Sequence, residues 1–126
     1  MIIKHRAFKL PGITGTLSLY KEGDRVYSIK KYTKDNDSNE YEIRITSKKG
    51  ETVRVECRNG EYHGKIVKKE AGVITHFATY VDGEPHGTHR IYNRGEMVEK
   101  YFIHGEEIKS ESEYRSLRLK DMIDEI

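Results

Sequence analysis

Tryptophan is absent from this chain of 126 residues, proline occurs twice and cysteine once. A lone Cys57 rules out an internal disulfide and supplies neither a redox pair nor a zinc-binding spacing, so its expected role is structural. No long hydrophobic run occurs either. Met1, Ile2 and Ile3 give way at once to Lys4, His5 and Arg6, unlike the apolar stretch of a signal peptide, and no later window approaches a membrane span. The chain reads as soluble and cytoplasmic, with no membrane partner. Charge of one sign is also missing. Twenty-three basic against 21 acidic residues leave a formal +2, too little by itself to argue for nucleic acid or an anionic membrane. Apolar residues are scarce at 35%, which predicts a thin core and much exposed surface in a single domain.

Catalytic signatures are missing too. There is no G-x-G-x-x-G fingerprint and no P-loop, and Ser18, Ser28 and Ser38 stand in strand or loop contexts without a nucleophile elbow. The six histidines bring no recurring carboxylate or cysteine partner with them, so neither a metal, a cofactor nor an enzymatic activity is expected. His76 and His89 fall on adjacent predicted strands, but one such pair is weak evidence for a site.

What is present is a ruler made of glycine. Gly15 and Gly23, Gly64 and Gly72, and Gly87 and Gly95 are each eight residues apart. The strings NGEYHG (59–64) and DGEPHG (82–87) set His63-Gly64 and His86-Gly87 at a separation of 23. Gly50 to Gly60, Gly72 to Gly83 and Gly95 to Gly105 add steps of ten or eleven. Such self-similarity marks an internal repeat with a period of 22 or 23. Each unit holds two short runs rich in Val, Ile, Tyr, Phe and Thr between glycine-bearing corners, the pattern of β-hairpins. Four two-stranded units are predicted, over 12–33, 41–60, 61–83 and 84–108. The second is the least regular, with a turn at 48–51 expected to be a residue longer. Tight hairpins need positive φ, which glycine reaches without steric cost. Pro85 fits a turn better than a central strand.

Between the first two units lies KDNDSNE (34–40). Its Asp35-x-Asp37-x-Asn39 spacing copies the start of a calcium loop, but Glu40 and Thr46 stand where Gly and Glu are required, so the segment reads as a solvated loop. From 110 to 126 the period changes. Ser110-x-x-Glu113 is a capping box, and Leu119, Met122, Ile123 and Ile126 form one helical stripe. An amphipathic helix is predicted, packed on the sheet or closing its open end, or alternatively docked on a partner or a second copy. The fold class is therefore mainly β: an antiparallel hairpin meander with one C-terminal helix.

The strings NGEYHG, DGEPHG and HGEEI resemble the MORN repeat, and more closely the MORN-variant repeats of the YwqK-type antitoxin family. The likeness is clearest over 59–108 and extends in degraded form to 11–32. It implies an elongated, twisted meander and non-enzymatic activities: neutralising a toxin, scaffolding, or lipid contact.

Nine tyrosines are more telling than six histidines, because a sheet one layer thick cannot bury them all. Tyr27, Tyr32, Tyr80, Tyr92 and Tyr101, with Arg90 and Arg94, are the candidate partner-binding residues, since tyrosine and arginine supply much interface affinity. Covering aliphatic neighbours on the pleated face is the other role open to the tyrosines. The leading expectation is a module that occludes a protein partner, a toxin or host factor, as an antitoxin, an immunity protein or a phage inhibitor of a host system does. A homodimer through an edge strand or the helix is a further expectation. The alternative is nucleic-acid or nucleotide binding, through Lys30-Lys31, Lys48-Lys49 and Lys68-Lys69 interleaved with Tyr27, Tyr32 and Tyr41. Strand phase stays open: Val53, Val55 and Cys57 suggest one parity, whereas Ile74, Ala78 and Tyr80 suggest the other.

Overall fold

Two-residue corners build this molecule. At Asn59, Ala71, Asp82, Arg94 and His104 the backbone turns to φ between 48° and 51°, and the glycine after each has φ between 79° and 83°. Positive φ at both central positions defines the type I′ turn, whose twist matches that of the strands it joins. Pro11-Gly12 and Lys49-Gly50 carry positive φ at the glycine alone. The corner at Lys49-Gly50 therefore joins its strands as tightly as the others, without the extra residue expected from the sequence.

The computed structural model describes residues 1–124, with side chains described through Lys120. Eleven strands run in order: β1 (Ile2–Leu10), β2 (Ile13–Glu22), β3 (Arg25–Lys34), β4 (Glu40–Lys48), β5 (Glu51–Arg58), β6 (Glu61–Glu70), β7 (Val73–Val81), β8 (Glu84–Pro85), β9 (Gly87–Asn93), β10 (Glu96–Ile103) and β11 (Glu106–Ile108). Helix α1 (Glu111–Asp124) follows. Each strand pairs antiparallel with the next, except that the short β8 and its continuation β9 both pair with β7. The result is one open antiparallel meander. It begins a strand earlier than the four predicted units, because β1 precedes the first glycine corner.

The HG pairs mark bulges inside the strands. Gly64 and Gly87 take φ of 110° and 107°, a region only glycine enters cheaply. The histidine before each glycine reaches to the next corner. His63 Nδ1 accepts the Asp82 backbone N–H at 3.2 Å, and His86 Nδ1 accepts that of His104 at 3.1 Å. A side-chain oxygen of the preceding strand fills the space opposite: the Lys65 N–H donates to Glu56 Oε1 at 2.9 Å, and the Thr79 hydroxyl donates to the His86 carbonyl. The 23-residue spacing thus repeats a hydrogen-bonded joint. Gly15, by contrast, lies within β2 and makes no corner. A Cβ there would meet Lys31 O, Tyr32 Cβ at 2.7 Å and Phe8 Cζ at 2.9 Å.

No hydrophobic side chain among the described residues is buried, and the one buried residue is Ser18, bonded through its hydroxyl to His5 Nδ1 at 2.6 Å. The chain exposes 9259 Å². A compact chain of this mass would expose roughly 6,900 Å². A single layer explains the excess, since apolar side chains cover one another only across a face. Helix α1 touches this layer at β10 and β11. Its cap is the predicted one, with the Glu113 N–H donating to Ser110 Oγ at 3.4 Å. Among the described side chains of the helix, those that meet the sheet are not on the predicted stripe. Tyr114 lies against Tyr101 at 4.8 Å between ring centroids, and Arg118 reaches the His86 ring, while Leu119 is 60% exposed. The side chains of Met122, Ile123 and Ile126 lie outside the described residues.

Candidate interaction surface

Directly opposed residues of neighbouring strands share a face, so the register sorts the side chains into two sets. One face carries Tyr27, Val55, Ile66, Ala78 and His89; the other carries Lys30, Ile43, Ile45, Val67 and Phe77. Val53, Val55 and Cys57 thus share a face with Ala78 and Tyr80. Ile74 is displaced to the other by an irregularity between Lys68 and Lys69.

Charge divides unequally between them. On the Lys30 face, β1 to β3 contribute Lys4, Arg6, Lys21, Lys30 and Lys34, and β5 to β9 contribute Arg54, Arg58, Lys65, Lys69 and Arg90. Glu56, Glu61, Glu84, Glu99 and Glu106 are its only strand acids. Ten cations stand against five anions. On the Tyr27 face the strand residues balance at seven of each sign. The near-zero net charge of the sequence therefore conceals one basic side.

Across β4 to β7 the Lys30 face holds a shallow depression of about 600 Å³. Its apolar floor is Ile45, Val67, Ile74 and Phe77, flanked by Arg54, Lys65 and Lys69. Glu56 sits at its margin already engaged, accepting from Arg54 Nη2 at 3.3 Å and from the Lys65 backbone. Among the described residues, Lys65 and Lys69 have no ion-pair partner. The depression of about 400 Å³ between β2, β3 and β4 is lined on the Tyr27 face by Thr14, Thr16, Lys31, Thr33, Glu40 and Glu42.

The aromatic rings are largely engaged with one another. On the Lys30 face Tyr32 stacks on Tyr41 at 5.2 Å, Lys30 Nζ lies 5.4 Å from the Phe8 ring and 5.2 Å from Tyr32, and Lys34 Nζ lies 4.8 Å from Tyr41. Tyr41 also donates its hydroxyl to Asp37 Oδ2 at 2.6 Å, which holds that carboxyl below the usual carboxylate range. Asp37 further accepts the Asn39 N–H, so the calcium-like loop uses its own carboxylate to close itself. On the Tyr27 face Tyr20 stacks on Tyr27 at 4.9 Å, and Tyr62, Tyr80, His89 and Phe102 form a continuous run.

The residues singled out from the sequence do not converge. Tyr27 and Tyr80 are on one face, Tyr32, Arg90, Tyr92 and Tyr101 on the other, and Arg94 is at a corner. Tyr32 and Tyr92 are separated by five strand spacings, about 24 Å. Arg90, Glu99 and Tyr101 form a local network. Arg90 Nε donates to Glu99 Oε2 at 2.9 Å and the Tyr101 hydroxyl to Glu99 Oε1 at 2.5 Å. That second bond pushes the Tyr101 phenol up to about 12 and holds Glu99 low. Cys57 is half-buried, and desolvation raises its thiol pKa. His76 and His89 lie on neighbouring strands but bond separately, to Thr75 Oγ1 and to the Thr79 carbonyl. Among the described residues no three His, Cys, Asp or Glu side chains are grouped to hold a metal ion, and no helix is long and apolar enough to cross a membrane.

The floor of the depression went unnoticed in the sequence. Lysine pairs look like stripes on paper, yet consecutive strand residues point to opposite sides, so Lys30 and Lys31, or Lys68 and Lys69, never serve one face. Sorting by parity would have separated the basic side. No protein family model, curated protein or solved structure matches the chain.

Proposed function

We propose that this protein is a non-enzymatic binding module acting in the cytoplasm, one that occludes a protein partner as an antitoxin, an immunity protein or a phage inhibitor of a host system does. The motif resemblance to MORN-variant antitoxins points the same way. The observation that carries the reading is the uncovered single layer. Its apolar side chains are half-exposed on both faces, and its area exceeds that of a compact chain by roughly 2,300 Å², more than the roughly 800 Å² that one partner contributes to a standard protein interface. Affinity capture from the source cell with the whole chain as bait, after nuclease treatment, tests it. The expected result is one protein that re-forms a defined complex when purified and loses its own activity on binding. A captured protein whose activity is untouched at saturation, or retention of nucleic acid alone, would overturn the proposal.

A second reading, nucleic-acid binding, is favoured by the ten cations of the Lys30 face. Salt separates the two. A phosphate-driven complex weakens steeply and log-linearly with ionic strength, with a slope set by the number of phosphates neutralised, whereas a protein interface with an apolar centre and a few flanking charges weakens less.

A further inference from the structure

We infer that the docking side is the Lys30 face, centred on the depression across β4 to β7, and that its occupant is an acidic, partly apolar protein surface; this rests on the protein-binding reading above. The argument begins with charge. Lys65 and Lys69 flank an apolar floor, and the carboxylate that lines the same depression, Glu56, is already held by Arg54 and a backbone N–H. Two ammonium groups therefore face outward beside Val67, Phe77 and the 41%-exposed Ile74. An acidic segment carrying aliphatic or aromatic side chains satisfies both features at once, whereas the Tyr27 face, with its signs balanced, selects neither sign.

A nucleic acid fits this face less well. Sequence-tolerant strand binding depends on bare aromatic rings for bases to stack on. Here Tyr32 and Tyr41 cover one another, and Lys30 and Lys34 lie over Tyr32 and Tyr41. Tyr101 is covered by Tyr114 of the helix. A phosphate backbone would also leave the apolar floor wet. Size is sufficient: the eight strand rows from β1 to β9, which leave out the two against the helix, offer roughly 1,100 Å² at about 4.8 Å spacing and about 30 Å length, against about 800 Å² that each partner contributes to a standard interface.

The test uses two variants with the same net charge change. Lys65→Glu/Lys69→Glu alters the depression; Lys31→Glu/Lys100→Glu alters the opposite face at exposed positions. Probes are a random glutamate–tyrosine copolymer, polyglutamate and an oligothymidylate, each titrated at one ionic strength near physiological. Wild type should bind the copolymer more tightly than either other probe. The Lys65/Lys69 variant should lose roughly tenfold in copolymer affinity, as reversal of two exposed charges allows, and the Lys31/Lys100 variant less than about twofold. The milder Lys65→Gln/Lys69→Gln should show a smaller loss with an unchanged circular dichroism spectrum. Equal losses from the two faces would reduce the effect to net charge and overturn the inference, as would tighter binding of the oligothymidylate. Repeating the cellular capture separates this idea from its parent. A partner retained by the Lys65/Lys69 variant but not by the Lys31/Lys100 variant would refute the face and leave protein binding standing.

Discussion

Gly15 has no room for a side chain. The Cβ of any other residue would press on the Lys31 carbonyl and the Tyr32 and Phe8 side chains, two of them fixed in neighbouring strands. Gly15→Ala should therefore cost about 2 to 3 kcal/mol, at the upper end of overpacking effects, even though its φ is ordinary. Gly50→Ala meets nothing within 4 Å and suffers only from its φ of 74°, so it should cost about 1 kcal/mol. Urea midpoints of the two variants decide it; the reverse order would mean that the β1–β3 layer is looser than its geometry. Tyr101 gives a second residue-scale prediction. Its phenol donates to Glu99, and its pKa stands at about 12 against an ordinary 10. A folded value above the unfolded one means that this bond's contribution is whole below pH 10 and is lost as pH rises through 12. Absorbance at the tyrosinate band should show the last-titrating phenol disappear in Tyr101→Phe, and the variant should lose less stability than wild type between those limits. An unchanged titration curve would remove the bond from the argument.

At the scale of elements, the corners are the legible part and the bulges the illegible part. Glycines at fixed intervals announced hairpins because a two-residue type I′ corner demands positive φ, and Asn59-Gly60 and Asp82-Gly83 are its preferred chemistry. Ala71 does not share that preference, yet it sits at φ of 50°. Ala71→Asn should raise stability by about 1 kcal/mol, since asparagine tolerates the left-handed region that penalises alanine. A thermal midpoint that stays level or falls would show the strain to be absent. What the periodicity concealed was phase. The irregularity between Val55 and Cys57 inserts two residues and keeps the face, whereas that between Lys68 and Lys69 inserts one, so a count of alternate residues loses track of the face at Ile74. Strand β1 was hidden for another reason: it precedes the repeat, and IIKHRAFKL carries neither a glycine corner nor a simple alternation. The helix and its place against the end of the sheet were legible, but the side chains that dock it were not, because Tyr114 and Arg118 are chosen by what the last strands offer, a tyrosine ring and a histidine.

For the molecule as a whole, the described residues enclose no hydrophobic core, which makes neighbour pairing the main source of order. Strand contacts run between adjacent strands, with β1 held by β2 alone and the far end held by β11 and α1. In such a one-dimensional array stability is close to a sum of nearest-neighbour terms, so opening a strand at an edge breaks one interface while opening a central strand breaks two. Fraying should therefore start at β1. There the edge is long and exposes Ile2 and Ile3 at 55% and 52%, whereas the opposite edge is the three-residue β11 with a helix against it. Native-state hydrogen exchange measures this directly. Opening free energies should peak over β4 to β7, fall stepwise through β3 and β2, and reach their minimum in β1, with β10 better protected than β2 because the helix closes its end. One common opening energy for all amides would instead mean that the sheet unfolds as a single unit, and the nearest-neighbour account would fail. A docking partner on the Lys30 face would sharpen the contrast. It would raise protection in β4 to β7 first and leave β1 exchanging at its free rate.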